Sequence, residues 1–133
     1  MPKYKEVVLY YYTREEGYAR RVRLLKSIMV QMGIRIKTIE PEQVLEQVGY
    51  LAGIDGYSPA QKPEELPLIH QDILVLHNFT RNRMDMFLSS IRRANVPKID
   101  LKAVITPQNM GWTFYHLYEE LMKEHKEMHS LPR

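Results

Sequence analysis

The sequence predicts a single α/β domain over residues 1–133, with three layers and a four-stranded, mainly parallel sheet in the middle. Short apolar runs alternate with segments of helical periodicity in the order βαβα, a long connection, and βαβα again. Such alternation is typical of parallel sheets with right-handed crossovers and helices on both faces. Apolar residues make up 44% of the chain, which is enough for a core of ordinary size.

The first half, residues 1–53, predicts two strands and two helices. Residues 6–11 are an apolar strand, and Thr13 with Glu16 has the spacing of a capping box, so a helix is expected from about Arg14. Gly33 fits the C-cap of that helix. Residues 34–39 alternate apolar and polar side chains, which predicts a second strand with one wetter face. Pro41 then suits the first position of a helix that ends at Gly53.

The second half, residues 72–133, repeats this pattern after a Pro- and Gly-containing connection at 54–71. Residues 72–76 are apolar on both faces, which indicates a central strand. Thr80 is expected to cap a helix over 81–95, and residues 102–105 form the fourth strand. Thr113 is expected to cap a last helix with a fraying polar end, and the inward residues of that helix are Phe114, Leu117, Leu121 and Met122.

The two halves resemble one another. Thr80-Arg81 follows Thr13-Arg14 by 67 residues, and Pro107 follows Pro41 by 66. This steady offset indicates an internal duplication, although any two βαβα units share some landmarks. If the halves meet through their first strands, the strand order is 2-1-3-4.

In that arrangement the topological switch point lies between strands 1 and 3, where sheets of this kind bind ligands outside the carboxyl ends of their strands. Two helix N-termini and two guanidinium groups would meet there and suit a phosphate or a carboxylate. Neither of the glycine-rich nucleotide fingerprints occurs, and no cofactor is predicted. The candidate ligand-binding residues are Thr13, Arg14, His77, Asn78, Thr80, Arg81, Thr106 and Asn109.

Several of these residues also have a structural interpretation. Thr106 and Asn109 bracket a Thr-Pro-Gln-Asn stretch that fits a local turn. His77 has the right chemistry for an acid or base, yet the sequence places no carboxylate or nucleophile beside it. His125 and His129 are spaced to chelate a metal on one helix face, but no third ligand is evident, so neither a metal nor a catalytic residue is predicted.

Composition narrows the function classes. The chain has no cysteine, which excludes disulfides and thiolate chemistry, and no apolar run long enough for a membrane span. Its 19 basic and 16 acidic residues give a net charge of +3, and the basic residues are spread along the chain, which makes nucleic acid an unlikely partner. Nothing in the sequence indicates export, so a cytoplasmic location is expected.

The second half resembles a small bacterial family known as domain of unknown function 3783. The resemblance rests on DILVLHNFTRNRMDMFLSSIRRANVP, then IDLKAVITPQN, then WTFYHLYEELMKEH, about residues 72–125. The matching landmarks are Asn78-Phe79-Thr80, the Leu-Lys-Ala-Val strand from Leu101, Thr106, Pro107, Asn109, Trp112 and Thr113. The family implies no activity and no catalytic residue.

The first functional hypothesis is therefore a non-catalytic, cytoplasmic α/β module that binds a small anion or a protein partner. A homodimer would fit the many aromatic residues. A small enzyme of the phosphoryl- or sulfur-relay type is the alternative, by analogy of fold alone. An RNA-associated protein is the third hypothesis, which a continuous face joining Arg20, Arg23, Arg81 and Arg92 would favour.

Overall fold

Four strands form one sheet in the computed structural model, which describes residues 6–130 and the side chains up to residue 128. The strands are β1 (Val7–Tyr11), β2 (Arg35–Thr38), β3 (Ile73–His77) and β4 (Leu101–Val104). The helices are α1 (Tyr18–Gln31), α2 (Val48–Leu51), α3 (Arg81–Arg93) and α4 (Phe114–Ser130), with a 3-10 turn at Pro41–Gln43. The order β2-β1-β3-β4 confirms the predicted strand order.

Two of the three strand pairs are parallel, which confirms a mainly parallel sheet. β1 pairs with β2 and β3 pairs with β4 in parallel, but β1 and β3 are antiparallel, with Val7 opposite His77 and Tyr11 opposite Ile73. The carboxyl ends of β1 and β2 therefore lie at one end of the sheet, here called the first end. The carboxyl ends of β3 and β4 lie at the opposite end, here called the second end.

Helices cover both faces, so the domain has the three layers expected from the sequence. α1 and α3 pack on one face against Val8, Tyr10, Leu74 and Leu76 of the central strands. α2, α4 and the segment Val44-Leu45 after the 3-10 turn pack on the other face against Val7, Leu9, Tyr11, Ile73 and Val75. Because side chains alternate along a strand, the central pair supplies both cores, with nine of its ten residues.

The halves are related by a pseudo-two-fold axis. Val7 pairs with Arg35 and Ile73 with Leu101, so 28 residues separate the partners in each half, and 66 residues separate the two pairs. In the central pair of strands, the same offset relates Val7 to Ile73 and Tyr11 to His77, so it converts the pair Val7–His77 into the pair Tyr11–Ile73. The axis therefore passes through the central pair of strands.

The starts of α2 and α4 are joined by hydrogen bonds that obey the same symmetry. Val48 N donates to Trp112 O over 2.8 Å, and its equivalent, Phe114 N, donates to Glu46 O over 2.9 Å. A second symmetric pair joins Gly49 N to Met110 O and Tyr115 N to Val44 O. Because an accidental likeness would not reproduce such contacts, they support the predicted duplication.

Helix boundaries differ from the predictions in the first half. α1 begins at Tyr18 and not at Arg14, after Gly17 in a left-handed conformation with φ of 83°. The predicted capping box at Thr13 is wrong, since Thr13 hydrogen-bonds to Asp72 instead. Pro41 does open a helical turn as predicted, but the turn stops at Gln43 and α2 is a separate, short helix.

In the second half the helix predictions hold. Thr80 Oγ1 accepts a hydrogen bond from Arg83 N at the start of α3, and Thr113 Oγ1 accepts one from His116 N at the start of α4. α4 continues to Ser130, so its polar end is helical where fraying was expected. No helix of the described chain is long and apolar enough to cross a membrane.

Candidate functional site

The sheet has one crevice at each end. At the first end the chain leaves β1 for α1 on one face and leaves β2 for the 3-10 turn and α2 on the other. Two parallel neighbours whose connections part in this way leave a gap outside their carboxyl ends, where α/β proteins bind ligands. This is the first crevice. β3 and β4 form its equivalent, the second crevice, at the second end.

The predicted site is divided between these two crevices. Thr13 and Arg14 lie at the first end. The other six candidates follow β3 or β4 at the second end: His77, Asn78, Thr80, Arg81, Thr106 and Asn109. The prediction of a single crevice between strands 1 and 3 is wrong, because those strands are antiparallel and their carboxyl ends point in opposite directions.

The first crevice contains a cavity of about 570 Å³. Its floor consists of the buried side chains of Tyr11, Ile39 and Ile69. One wall is the loop from Tyr12 to Glu15, and the opposite wall is the turn from Thr38 to Glu42, with His70 at the side. Apolar atoms thus line the bottom, while hydroxyl, carboxylate and guanidinium groups stand at the rim.

A carboxylate at the start of β3 holds the loop of the first crevice in place. Asp72 accepts hydrogen bonds from Thr13 N at 2.9 Å, Thr13 Oγ1 at 3.2 Å, Tyr10 Oη at 3.1 Å and Arg21 Nε at 2.7 Å. Burial and then the Asp72 charge raise the pKa of Tyr10 above its ordinary value, so its hydroxyl stays a donor. These contacts hold the loop from Tyr12 to Glu15 in place on its side of the crevice, opposite the turn that follows β2.

Sequence reasoning missed this cluster for a clear reason. Thr13, Tyr10 and Arg21 lie between 51 and 62 residues before Asp72 in the chain. The sequence predicts only that a strand begins at Asp72, and no local spacing indicates the partners of its side chain. Only the antiparallel pairing of β1 with β3 brings them together.

At the second crevice the turn after β4 is held against its own strand by hydrogen bonds. Asn109 is 8% exposed, and its Oδ1 accepts from Thr106 N at 2.9 Å while its Nδ2 donates to Val104 O at 3.0 Å. Asn109 N in turn donates to Thr106 Oγ1 at 3.1 Å. These bonds support the structural interpretation of the Thr-Pro-Gln-Asn stretch.

The remaining residues at the second end are arranged around the start of α3. Thr80 caps the helix, Arg81 is exposed, and Asn78 has a φ of 65°, where the second half has one residue more than the first. This extra residue explains why the offset is 67 at Thr80 and 66 at the strands. Burial lowers the pKa of His77, and no hydrogen bond or ion pair joins its side chain to another residue in the described part of the chain.

Metal chemistry finds no support in residues 6–128. No group of three or more histidine and carboxylate side chains there could hold an ion. Of the two histidines spaced for chelation, the side chain of His129 lies outside the described residues.

Basic residues that are scattered in the sequence come together on one face. α1 and α3 carry eight basic residues and one carboxylate, Asp85, whereas α4 carries four glutamates and two lysines. Because α1 and α3 run in opposite directions, Arg20 and Arg23 lie at the same end as Arg92, with Arg81 at the other. The eight residues of this basic layer are Arg20, Arg21, Arg23, Lys26, Arg81, Arg83, Arg92 and Arg93.

These features define a mixed α/β domain made of two βαβα repeats with a crevice at each end. Residues 72–128 match the model of a family described as a domain of unknown function, DUF3783, which confirms the resemblance seen in the sequence. The match begins one residue before β3 and extends into α4, so it covers the second repeat. Neither a search of curated proteins nor one of solved structures found a significant match.

Proposed function

We propose that this protein is a non-catalytic, cytoplasmic binding module whose small ligand occupies the first crevice. The observation that carries the proposal is the cavity of about 570 Å³ outside the carboxyl ends of β1 and β2. Its volume lies within the range of small-molecule sites, and its apolar floor with polar groups at the rim is typical of them. Thr13 and Arg14 are the predicted site residues that remain in this proposal.

The charges at the rim limit the chemistry of the ligand. Arg14 is exposed and has no ion pair with any other described residue, so its guanidinium can receive a carboxylate or a phosphate. Glu15, Glu40 and Glu42 stand at the same rim and would repel a purely anionic molecule. The ligand we propose therefore has one anionic group for Arg14 and a donor or cationic group for the glutamates.

A thermal-shift screen of the whole protein, followed by calorimetry, tests this proposal. The probes are phosphate and succinate as simple anions, and phosphoethanolamine and aspartate as anions that also carry an amine. We expect at least one amine-bearing probe to raise the melting temperature and to do so more than its simple partner. Arg14→Ala should weaken binding about tenfold or more, as expected for a lost charged contact.

Arg81→Ala is the matched control. Arg81 is exposed like Arg14 and occupies the equivalent position of the second repeat, but it lies at the other end of the sheet. Its substitution should leave binding unchanged. Equal losses in the two variants, or no response to any probe, would contradict a site in the first crevice.

The two other functional hypotheses have less support. An enzyme would depend on His77, which belongs to the second crevice and has no polar partner in the described chain. The RNA hypothesis gains from the basic layer. However, the rings of Tyr12 and Tyr18 on that side stack on each other with centroids 6.0 Å apart, so they are not free to receive bases.

A further inference from the structure

The edge strand β4 is incompletely covered on the face that bears α1 and α3. Lys102 and Val104 point to that face and are both exposed, Val104 at 41% of its surface. In the first repeat the equivalent residues, Ile36 and Thr38, are half-buried, and Ile36 packs against the core below α1. α3 therefore leaves open a strip of the sheet that α1 covers.

An apolar groove follows this strip between α3 and β4. It consists of two cavities of about 320 and 210 Å³ that share the side chains of Leu88 and Lys102. Apolar side chains form most of its lining: Leu74, Leu76, Met84, Leu88, Ile91, Val96 and Ile99. None of the residues that line the groove lines the first crevice, so the two surfaces are separate.

Positive charge surrounds the groove. Arg92, Lys98 and Lys102 contribute to its rim. The nearby Asp100 lies 3.6 Å from Lys98, and that pair is largely exposed. Burial, and then the charge of Lys98, lower the pKa of Lys102, while Arg92 adds to the effect. The rim therefore has an excess of cations that a negative partner would relieve.

The outer side of β4 also offers a backbone edge. Ile105 N donates to Leu76 O, so the alternate residues Lys102 and Val104 direct their backbone groups away from β3. The carbonyl of Val104 already accepts a hydrogen bond from Asn109 Nδ2. No other strand of the described chain pairs with this side of β4.

We propose that the groove is a docking surface for an extended segment of a partner protein that has aliphatic side chains flanked by acidic ones. The aliphatic side chains fill the groove beside Leu88, and the acidic ones approach Arg92, Lys98 and Lys102. Apolar contacts then supply affinity, and charge complementarity supplies specificity and a faster association.

Two other occupants fit the groove less well. A second copy of this chain, placed on it by two-fold symmetry, would bring the three cations against themselves. A nucleic acid would satisfy the cations, but no aromatic residue lines the groove to stack on a base, and phosphates gain nothing from an aliphatic floor.

The test uses the full chain and a fluorescent peptide of alternating composition. Threonine stands at every second position. The positions between hold in turn a glutamate and an aliphatic residue, which is leucine or valine. We expect saturable binding by anisotropy. Lys102→Glu should weaken it about tenfold, because the reversed charge faces acidic side chains. Arg93→Glu is the matched control, since Arg93 is an exposed cation of α3, the helix beside the groove, but does not line the groove.

Two further probes separate the occupants. The same peptide with serine in place of leucine and valine should lose binding about tenfold, because the apolar contacts are gone. A single-stranded oligonucleotide should not displace the original peptide. Failure of the peptide to bind, equal losses in the two variants, or equal binding of the serine peptide would each overturn the proposal. Displacement by the oligonucleotide would favour nucleic acid, and a dimer of the chain that excludes the peptide would favour a second copy.

Discussion

At the first end of the sheet, residues 12–17 form a loop before α1 begins at Tyr18, whereas at the second end α3 begins at Arg81, directly after its cap Thr80. The equivalent turns after β2 and β4 also differ. The same repeated unit has thus produced two different ends. The difference shows that the local chemistry of a few residues can change the end of a strand while the fold stays the same.

The two turns differ in the length of one amide side chain. Glu40 N donates to Gln43 Oε1 over 2.9 Å, and its equivalent, Thr106 N, donates to Asn109 Oδ1 over the same distance. The shorter side chain of Asn109 also reaches Val104 O and is buried against β4. Gln43 is half-buried, makes no such second bond and does not line the first crevice.

Each end also has one ion pair in an equivalent position. A carboxylate just before one central strand meets an arginine on the helix of the other repeat: Asp72 with Arg21 at the first end, and Glu6 with Arg83 at the second. Asp72 and Arg21 have side chains that are 9% and 15% exposed, against 15% and 31% for Glu6 and Arg83. Asp72 in addition accepts hydrogen bonds from Thr13 and Tyr10.

The largest effect that we predict concerns these two ion pairs. Asp72→Ala should lower the free energy of unfolding by about 3 kcal/mol, because it leaves the buried Arg21 and Tyr10 without their acceptor. Glu6→Ala should cost only about 1 kcal/mol, since water can solvate Arg83 after the loss. Urea denaturation of both variants at neutral pH measures the difference.

The double variant Arg21→Ala, Asp72→Ala provides the control. Its cost should be clearly less than the sum of the single losses, because the second substitution removes the charge that the first one left unpaired. If Asp72→Ala and Glu6→Ala were equally destabilising, the greater burial of the first pair would carry no energetic weight.

A smaller effect is expected at the two turns. Asn109→Ala should cost about 2 kcal/mol, because it removes two hydrogen bonds from a buried site and leaves Val104 O without its donor. Gln43→Ala should cost about 0.5 kcal/mol, since water replaces the single exposed bond. Chemical denaturation distinguishes the two, and a costlier Gln43→Ala would reverse our comparison of the turns.

The strands could be predicted from sequence because their signals are local. Apolar runs located all four, and the offset between the halves led to the order of the strands. The direction of β3 could not be predicted. Val8 and Tyr10 share one face with Leu74 and Leu76 whichever way β3 runs, so the core residues are the same. The long connection can reach either end of the sheet, so its length does not decide the direction.

The placement of the candidate residues in one crevice depended on the same direction and is wrong for that reason. Thr13 and Glu16 have the local pattern of a helix cap, but Asp72 competes for Thr13 from 59 residues away and prevails. A capping box satisfies exposed backbone donors, whereas Asp72 is a nearly buried carboxylate that needs several donors of its own. Thr80 has no such competitor among its contacts, so its cap forms as the sequence predicts.

The smallest effect concerns the equivalent residues that end the two central strands, Tyr11 and His77. Burial lowers the pKa of His77 and raises that of Tyr11. As pH falls through about 6.5, the unfolded chain protonates its histidine before the folded chain does, so the stability falls. As pH rises through about 10, the unfolded tyrosine ionises first, and the stability falls again. The two repeats thus limit stability at opposite ends of the pH range.

Single substitutions separate the loss of stability at low pH, here called the acid limb, from the loss at high pH, the alkaline limb. His77→Gln should flatten the loss of stability between pH 7.5 and 5.5, because the residue that resists protonation is gone. Tyr11→Phe should reduce the loss above pH 10 only in part, since burial and the charge of Asp72 also raise the pKa of Tyr10. Urea denaturation across the pH range measures both limbs. If His77→Gln changed the alkaline limb, or left the acid limb as steep as before, the burial of His77 would not be the cause of that limb.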